Sequence, residues 1–117
     1  MPRVDNCERD LSIIRHIFGY CSDIATTHAE FGRSKEKFLM SRTYQNAVSM
    51  CILQIGELIK HLSPEFTQTH PAIDWRSAAR ARDIYAHHYG HLDFEIAWES
   101  ATAVIDELTE FCRGCLN

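Results

Sequence analysis

Four stretches of the chain repeat apolar residues at steps of three and four, which is the spacing of an amphipathic helix. The first stretch begins with Asp5 and Glu8, a pair that resembles a capping box, and ends near Glu30–Gly32. A short segment through Phe38 leads into the second stretch, which predicts a long helix near residues 41–62 that stops at Ser63-Pro64. Residues 63–73 contain two prolines and predict a connection with one short helical turn.

The second half of the chain predicts two more helices with polar caps. Asp74 is placed to cap a helix from Trp75 to about His87, and Gly90 is placed to end it. Asp93 is placed to cap the last helix, whose apolar stripe continues without a break. No segment alternates as a half-buried strand does. The pattern therefore predicts an all-α fold, an up-and-down bundle of four main helices plus short helical turns, with residues 1–117 as a single domain.

Composition and charge narrow the classes of function. The chain is 45% hydrophobic and 24% charged over 117 residues, which is typical of a globular domain with one core. Its net charge of -4 argues against a protein that coats nucleic acid through bulk charge alone, but leaves a local basic site possible. The first residues lack the apolar core of a signal peptide, and no apolar run approaches the ~18 residues of a membrane span. We therefore expect a cytoplasmic protein with no membrane partner.

The five cysteines are an odd number without secretory context, which predicts reduced thiols used as small core residues. Cys112 and Cys115 have C-x-x-C spacing but close the last helix, so we expect a core residue and a terminal thiol, not a redox pair. Three histidines have no identifiable partner and are expected at the surface or its boundary: His16, His28 and His61. Three aromatic residues follow the last helical stripe and are expected in the core: Phe94, Trp98 and Phe111.

The segment from Trp75 to His91 concentrates side chains that carry out proton and phosphate chemistry: three arginines, three histidines, an aspartate and two tyrosines. On a helix, one side would carry Arg76, Arg80, Asp83 and His87. Asp83 lies one turn before His87, where its carboxylate can hold the imidazole. Metal-free RNA cleavage requires a base, an acid and a cation, which histidine and arginine supply. The same spacing also fits a solvated helix face that ends in a histidine cap.

Arg82 and His87 lie about 140° apart on an ideal helix. They can converge only if the helix loosens before Gly90 or if a second subunit completes the site. His87, with His88 and His91, also suggests a metal site, but Gly90 interrupts the helix and no cysteine or carboxylate completes a tetrahedral set, so no metal is expected.

Gly56 stands inside an otherwise good helix, where glycine costs roughly 1 kcal/mol relative to alanine. Close packing of two helices would explain it. The neighbouring Glu57 leaves a second interpretation open, in which its carboxylate reaches the arginines or lies beside their cleft.

The run from Arg82 to Tyr89 has the form R-x-x-x-x-H-x-Y, which resembles the signature of HEPN-domain ribonucleases and specifically of HepT-like toxins. The likeness covers roughly residues 10–112 and includes further positions: Phe38, Arg42, Ala47-Val48, Ile55-Gly56-Glu57, Leu62-Ser63, Ile73-Asp74-Trp75-Arg76, Asp93 and Trp98. The resemblance implies an all-helical homodimer with the motif at the cleft between its subunits. It further implies the toxin of a type VII-like toxin–antitoxin pair, a metal-independent endoribonuclease that needs no cofactor.

On this resemblance and the helix geometry, each residue of the motif receives an expected role. His87 is the general base or acid, Arg82 stabilises the transition-state phosphate and Asp83 orients His87. Arg76 and Arg80 are expected contacts to the RNA backbone, where the RNA is a messenger or a transfer RNA.

The resemblance also implies a partner, a cognate minimal nucleotidyltransferase that acts as antitoxin. It would transfer AMP from ATP to Tyr89, because a bulky anionic adenylate near His87 would block the site and repel an RNA phosphate. The alternative is a non-catalytic HEPN protein that binds substrate or nucleotide for a nucleotidyltransferase. The intact arginine, histidine and tyrosine favour the enzyme.

Overall fold

The computed structural model describes residues 6–117, and the regular structure in that range is entirely helical. The α-helices are α1 (Asn6–Glu30), α2 (Lys35–Met40), α3 (Arg42–Ile59), α4 (Pro64–Thr69), α5 (Trp75–His87), α6 (Phe94–Glu99) and α7 (Ile105–Leu116). A 3-10 turn at Tyr89–His91 precedes α6, and a π-helical turn at Ser100–Val104 joins α6 to α7. The predicted all-α bundle of four main helices with short helical turns is confirmed.

Helix α3 lies at the centre of the bundle, with α1 on one side and α5 on the other. Helix α7 packs against α1, and the short α2 bridges α3 and α6. The core between these helices is closed by aliphatic side chains and a cluster of aromatic rings around Tyr44, which stacks on Phe31. Because α5 contacts the bundle chiefly through α3, one long face of α5 remains on the surface.

Helix α1 has its predicted C-terminal end, while its predicted capping box at Asp5 lies outside the described residues. Gly32 and Arg33 both adopt left-handed backbone, with φ of 67° and 49°. The backbone N–H of Arg33 donates to the His28 carbonyl at 2.7 Å, which closes the last turn.

Helix α3 ends at Ile59, earlier than the sequence pattern predicts. Ser63 does not simply stop α3, because its hydroxyl caps the next helix, α4, by accepting from the backbone N–H of Phe66. The buried carboxylate of Asp10 fixes this turn, accepting from the Ser63 N–H at 2.8 Å and from its hydroxyl at 2.6 Å. The predicted single short helix in this connection is confirmed as α4.

Helix α5 has the predicted bounds, and Asp74 caps it by accepting from the Ser77 N–H at 3.1 Å. The expectation that Gly90 ends this helix is wrong. The C-cap is His88, and Gly90 lies inside the 3-10 turn, whereas Gly32 is the glycine with positive φ among residues 6–117.

The last helix starts at the predicted cap, since Asp93 accepts from the Glu95 N–H at 2.9 Å, but it is interrupted by the π-helical turn. The carbonyl of Ala101 in that turn accepts from His28 Nε2 at 2.7 Å. His28 is only 3% exposed, so its expected surface position is wrong. Its Nδ1 faces the hydroxyl of Tyr44, so that both ring nitrogens are hydrogen-bonded.

The cysteines are free, and burial raises the pKa of Cys51 to about 11 and of Cys112 to about 12. Cys112 is in the core as predicted, while Cys115 is half-buried. Phe94, Trp98 and Phe111 pack against the core, also as predicted. Among the helices of the described range, none has the length and apolar content that crossing a bilayer requires.

Candidate active site

Helices α3 and α5 approach most closely at Gly56. A Cβ atom at this position would overlap the Cβ of Arg82 and lie 3.1 Å from the carbonyl oxygen of Ala78. Glycine is therefore the residue that allows the two backbones to pack at this distance, and the predicted close helix packing is confirmed. The contact sets Arg82 directly against α3.

The guanidinium of Arg82 is held by two carboxylates. Its Nε lies 3.1 Å from Glu57 Oε2 and its Nη1 lies 3.3 Å from Asp83 Oδ1, with 29% of the side chain exposed. Glu57 thus reaches a motif arginine, as the second interpretation of the Gly-Glu pair predicts. His61 Nε2 lies 3.7 Å from the other oxygen of Glu57.

Asp83 binds Lys60, the C-cap residue of α3, and not His87. Lys60 Nζ donates to Asp83 Oδ1 at 2.7 Å, and this bond, with a smaller contribution from Arg82, lowers the pKa of Asp83. Within residues 6–117 no hydrogen bond or ion pair joins Asp83 to His87, which was its expected partner. The physical reason is that the Lys60 ammonium at the end of α3 reaches the carboxylate from the adjacent helix.

His87 is exposed at the last position of α5, and its ring makes no hydrogen bond or ion pair with the described residues. Because α5 stays α-helical through His87, the angular separation of this residue from Arg82 is retained. Loosening of the helix before Gly90 therefore does not bring the two residues together within one chain.

Tyr89 lies just beyond α5, where its hydroxyl donates to Asn46 Oδ1 of α3 and its ring meets Phe94 edge-on at 5.9 Å. Arg76 and Arg80 lie exposed on α5, near enough to Asp74 to lower the pKa of that carboxyl, although its bonds to Ser77 lower it more.

Two residues at the site were missed by sequence reasoning, Lys60 and Asn46. Both belong to a stripe at steps of three and four along α3 and its C-cap in which Leu53 is the single aliphatic residue: Asn46, Ser49, Leu53, Gly56 and Lys60. This stripe faces α5, and its composition is the signal that could have identified both residues. In the described part of the chain, no group of three His, Cys, Asp or Glu side chains is placed to hold a metal ion.

Comparison with known proteins gives a consistent match. The family model described as "Ribonuclease HepT-like" matches residues 13–114. A "Probable ribonuclease HepT" of Thermococcus cleftensis is 36% identical over 62% of this chain and 66% of its own length. A protein of Caldanaerobacter subterraneus subsp. tengcongensis, named as a candidate RNase, is 32% identical over 74% of this chain and 77% of its own length.

A third relative, a protein of Methanocaldococcus jannaschii also named as a candidate RNase, is 36% identical over 55% of this chain and 53% of its own length. The matched regions thus span between about half and three quarters of the lengths of these relatives. No solved structure gives a significant match.

Proposed function

Since the chain belongs to the ribonuclease HepT-like family, we propose that it is a metal-independent endoribonuclease, the toxin of a type VII-like toxin–antitoxin pair, built as one HEPN domain over residues 1–117. The observation that carries the proposal is the arrangement of Arg82 and His87. The arginine lies against α3 in an ion pair with Glu57, while the histidine is exposed on the same helix and its ring makes no hydrogen bond or ion pair with the described residues. A cation in a fixed position and a free proton carrier are what the reaction needs.

The proposed reaction joins the RNA 2′-oxygen to the adjacent phosphorus and breaks the bond to the 5′-oxygen. A neutral imidazole of His87 takes the proton of the 2′-hydroxyl, an imidazolium gives a proton to the departing 5′-oxygen, and Arg82 binds the charged phosphoryl oxygens. Asp83 and Glu57 hold the guanidinium of Arg82. The orientation of His87 by Asp83 remains a prediction that requires Asp83 to turn away from Lys60.

We place the reaction in a homodimer. One chain keeps Arg82 and His87 on different sides of α5, and two copies related by a twofold axis can set the arginine of one against the histidine of the other. In each composite site the imidazole that takes the 2′-hydroxyl proton becomes the imidazolium that gives a proton to the 5′-oxygen, so one histidine serves first as base and then as acid. The exposed Arg76 and Arg80 are then available for the phosphates of a messenger or transfer RNA in the cytoplasm.

The proposed antitoxin is a cognate minimal nucleotidyltransferase that transfers AMP from ATP to Tyr89. In that step Tyr89 Oη would bond to the α-phosphorus of ATP, releasing pyrophosphate and the phenolic proton. The surroundings of Tyr89 support this step, because its hydroxyl lies at the surface within one turn of His87 and donates a hydrogen bond to Asn46.

We expect co-expression with the antitoxin to add the mass of AMP at Tyr89. The Tyr89→Phe variant should stay toxic and escape the antitoxin. Suppression of that variant, with adenylate found on another residue, would contradict this assignment.

The second candidate is a non-catalytic HEPN protein that binds substrate or nucleotide for a nucleotidyltransferase. The exposed, unpaired ring of His87 favours the enzyme, because a binding surface does not require a free proton carrier beside a fixed arginine.

The deciding experiment measures cleavage of labelled RNA by the purified chain in the presence of EDTA. We expect cleavage by the wild type, its loss in His87→Ala with the fold and oligomeric state unchanged, and its retention in His16→Ala, a matched exposed histidine on α1. Full cleavage and toxicity of His87→Ala would overturn the enzymatic assignment, and inactivity of the wild type with normal partner binding would favour the non-catalytic candidate.

A further inference from the structure

A cavity of about 360 Å³ opens on the seam between α3 and α5, beyond Arg82 toward the end of α5. Its volume is within the range of small-molecule sites. It is separate from the contacts of Arg82 with Glu57 and Asp83, and it is lined by Asn46, Ser49, Met50, Leu53, Tyr85 and Tyr89.

Two of the side chains that line the cavity carry a buried hydroxyl without a hydrogen-bond partner. Ser49 is 5% exposed and Tyr85 is 7% exposed, yet neither Ser49 Oγ nor Tyr85 Oη has a partner among the described residues. Buried polar groups are nearly always hydrogen-bonded, so two such hydroxyls on residues that line one cavity indicate that another group completes them. The structure provides a third polar group at the rim, because Asn46 uses its oxygen for Tyr89 and keeps its amide N–H groups free.

The chemistry of the lining restricts what can occupy the cavity. Its polar groups are all uncharged, its walls are the apolar side chains of Met50 and Leu53, and two tyrosine rings border it. Burial raises the pKa of Tyr85 to about 12, an effect to which the nearby Tyr89 adds and which the Ser100 side chain partly offsets. The phenol therefore stays a hydrogen-bond donor at physiological pH. An uncharged, flat group with hydrogen-bonding edges fits this lining, whereas a phosphate or carboxylate does not.

We infer that this cavity is a nucleobase pocket, in which the base packs between Met50, Leu53 and the tyrosines while its edge bonds to Ser49, Tyr85 and Asn46. Arg82 is three positions before Tyr85 on α5, on the neighbouring surface, where it can take the phosphate attached to that base. The inference rests on the proposed function and deepens it. The base comes either from the RNA substrate or from the adenylate attached to Tyr89.

The test uses the methionine methyl groups of the full chain as reporters. In ¹³C-methyl-methionine NMR, Met50 reports on the cavity, while Met40, 86% exposed on α2, is the internal reference. Adenosine, guanosine, cytidine and uridine 5′-monophosphates are titrated, with ribose 5-phosphate as the ligand that lacks a base. We expect at least one nucleotide to shift Met50 saturably, with Met40 unchanged and ribose 5-phosphate without effect.

Ser49→Ala and Tyr85→Phe each remove one orphan hydroxyl and should weaken this binding about fivefold. Both variants should remain as stable as the wild type, because each loses a buried group that has no partner in the folded chain. Ser12→Ala, at an exposed serine of α1, should leave binding unchanged. No shift with any nucleotide, an equal shift with ribose 5-phosphate, or unaltered affinity in both variants would overturn the pocket. A Met50 signal that changes only on dilution, independent of nucleotide, would assign the cavity to contact with a second copy and overturn it as well.

Two further samples identify the source of the base. A short 2′-O-methyl oligoribonucleotide, which the proposed reaction cannot cleave, should shift Met50 if RNA supplies the base. Chain adenylated at Tyr89 should show the shift without added ligand if the adenylate does, and a shift in neither sample would overturn the pocket. RNA cleavage is measured on the same preparations, so that cleavage without a Met50 shift rejects the pocket alone, whereas a Met50 shift without cleavage rejects only the proposed function.

Discussion

At the scale of single residues, the site depends on the absence of a side chain at Gly56. The missing side chain lets α5 approach until Arg82 lies on α3, where its Nε is 3.1 Å from the carboxylate of the next residue, Glu57, in an ion pair. A glycine that weakens the helix by itself thus permits the ion pair that positions a proposed catalytic group. The sequence shows Gly56 and Glu57 as an unusual pair inside a helix, but contact of Glu57 with the arginines is only one of two interpretations that it leaves open. Residue spacing shows which positions share a helix face and does not identify the helix that packs against that face.

Gly56→Ala should lower the free energy of unfolding by about 2 kcal/mol, since the added methyl group forces the two backbones apart and this outweighs the better helix propensity of alanine. The matched control is Gly19→Ala in α1, where nothing lies within 4 Å of the added carbon. That substitution should stabilise the chain by roughly 0.5–1 kcal/mol. Urea denaturation of both variants measures the difference, and equal effects at the two glycines would contradict the account of close packing.

At the scale of helical elements, the last helix is shaped by a residue far from it in sequence. His28 of α1 lies beneath the π-helical turn and donates to Ala101, while Tyr44 of α3 donates to the other ring nitrogen. The apolar stripe of the last helix does not predict the π-helical turn. Such a stripe shows which side of a helix is buried, and it contains no information on how the backbone hydrogen bonds are arranged. His28 was misassigned for the same reason, because both of its partners come from other helices.

His28→Ala should destabilise the fold by about 3 kcal/mol, because it leaves a buried hydroxyl and a buried carbonyl without partners and opens a cavity. His16→Ala, at an exposed position of the same helix, should change stability by less than about 0.5 kcal/mol. Thermal and urea unfolding of the two variants would test this, and equal stability of His28→Ala and the wild type would show that the ring is not a structural partner.

At the scale of the whole molecule, the straightness of α5 decides how the motif can work. A regular helix through His87 keeps Arg82 and His87 apart in one chain, so the proposed active site requires residues from two. The exposed face of α5, with Arg76, Arg80 and His87, is the surface on which such a composite site would form.

Complementation tests this arrangement directly. Arg82→Ala and His87→Ala homodimers should each be inactive, but mixing the two chains under exchange conditions should restore about a quarter of the wild-type cleavage, since half of the dimers are mixed and each carries one complete site. Cleavage by the separate and mixed samples is compared at equal total protein. Failure to regain activity although mixed dimers form would place both residues of a working site in the same chain.

The sequence by itself determined the helices, most of their caps and the segment that carries the chemistry, because periodicity and capping depend on residues close together in the chain. Asp74, Asp93 and the bounds of α5 followed from such local signals. Tertiary structure alone decided that Asp83 binds Lys60, that His28 is buried beneath a π-helical turn and that Ser49 and Tyr85 share a cavity. These contacts join separate helices, and the side-chain volumes and charges that select them act only once the helices have packed.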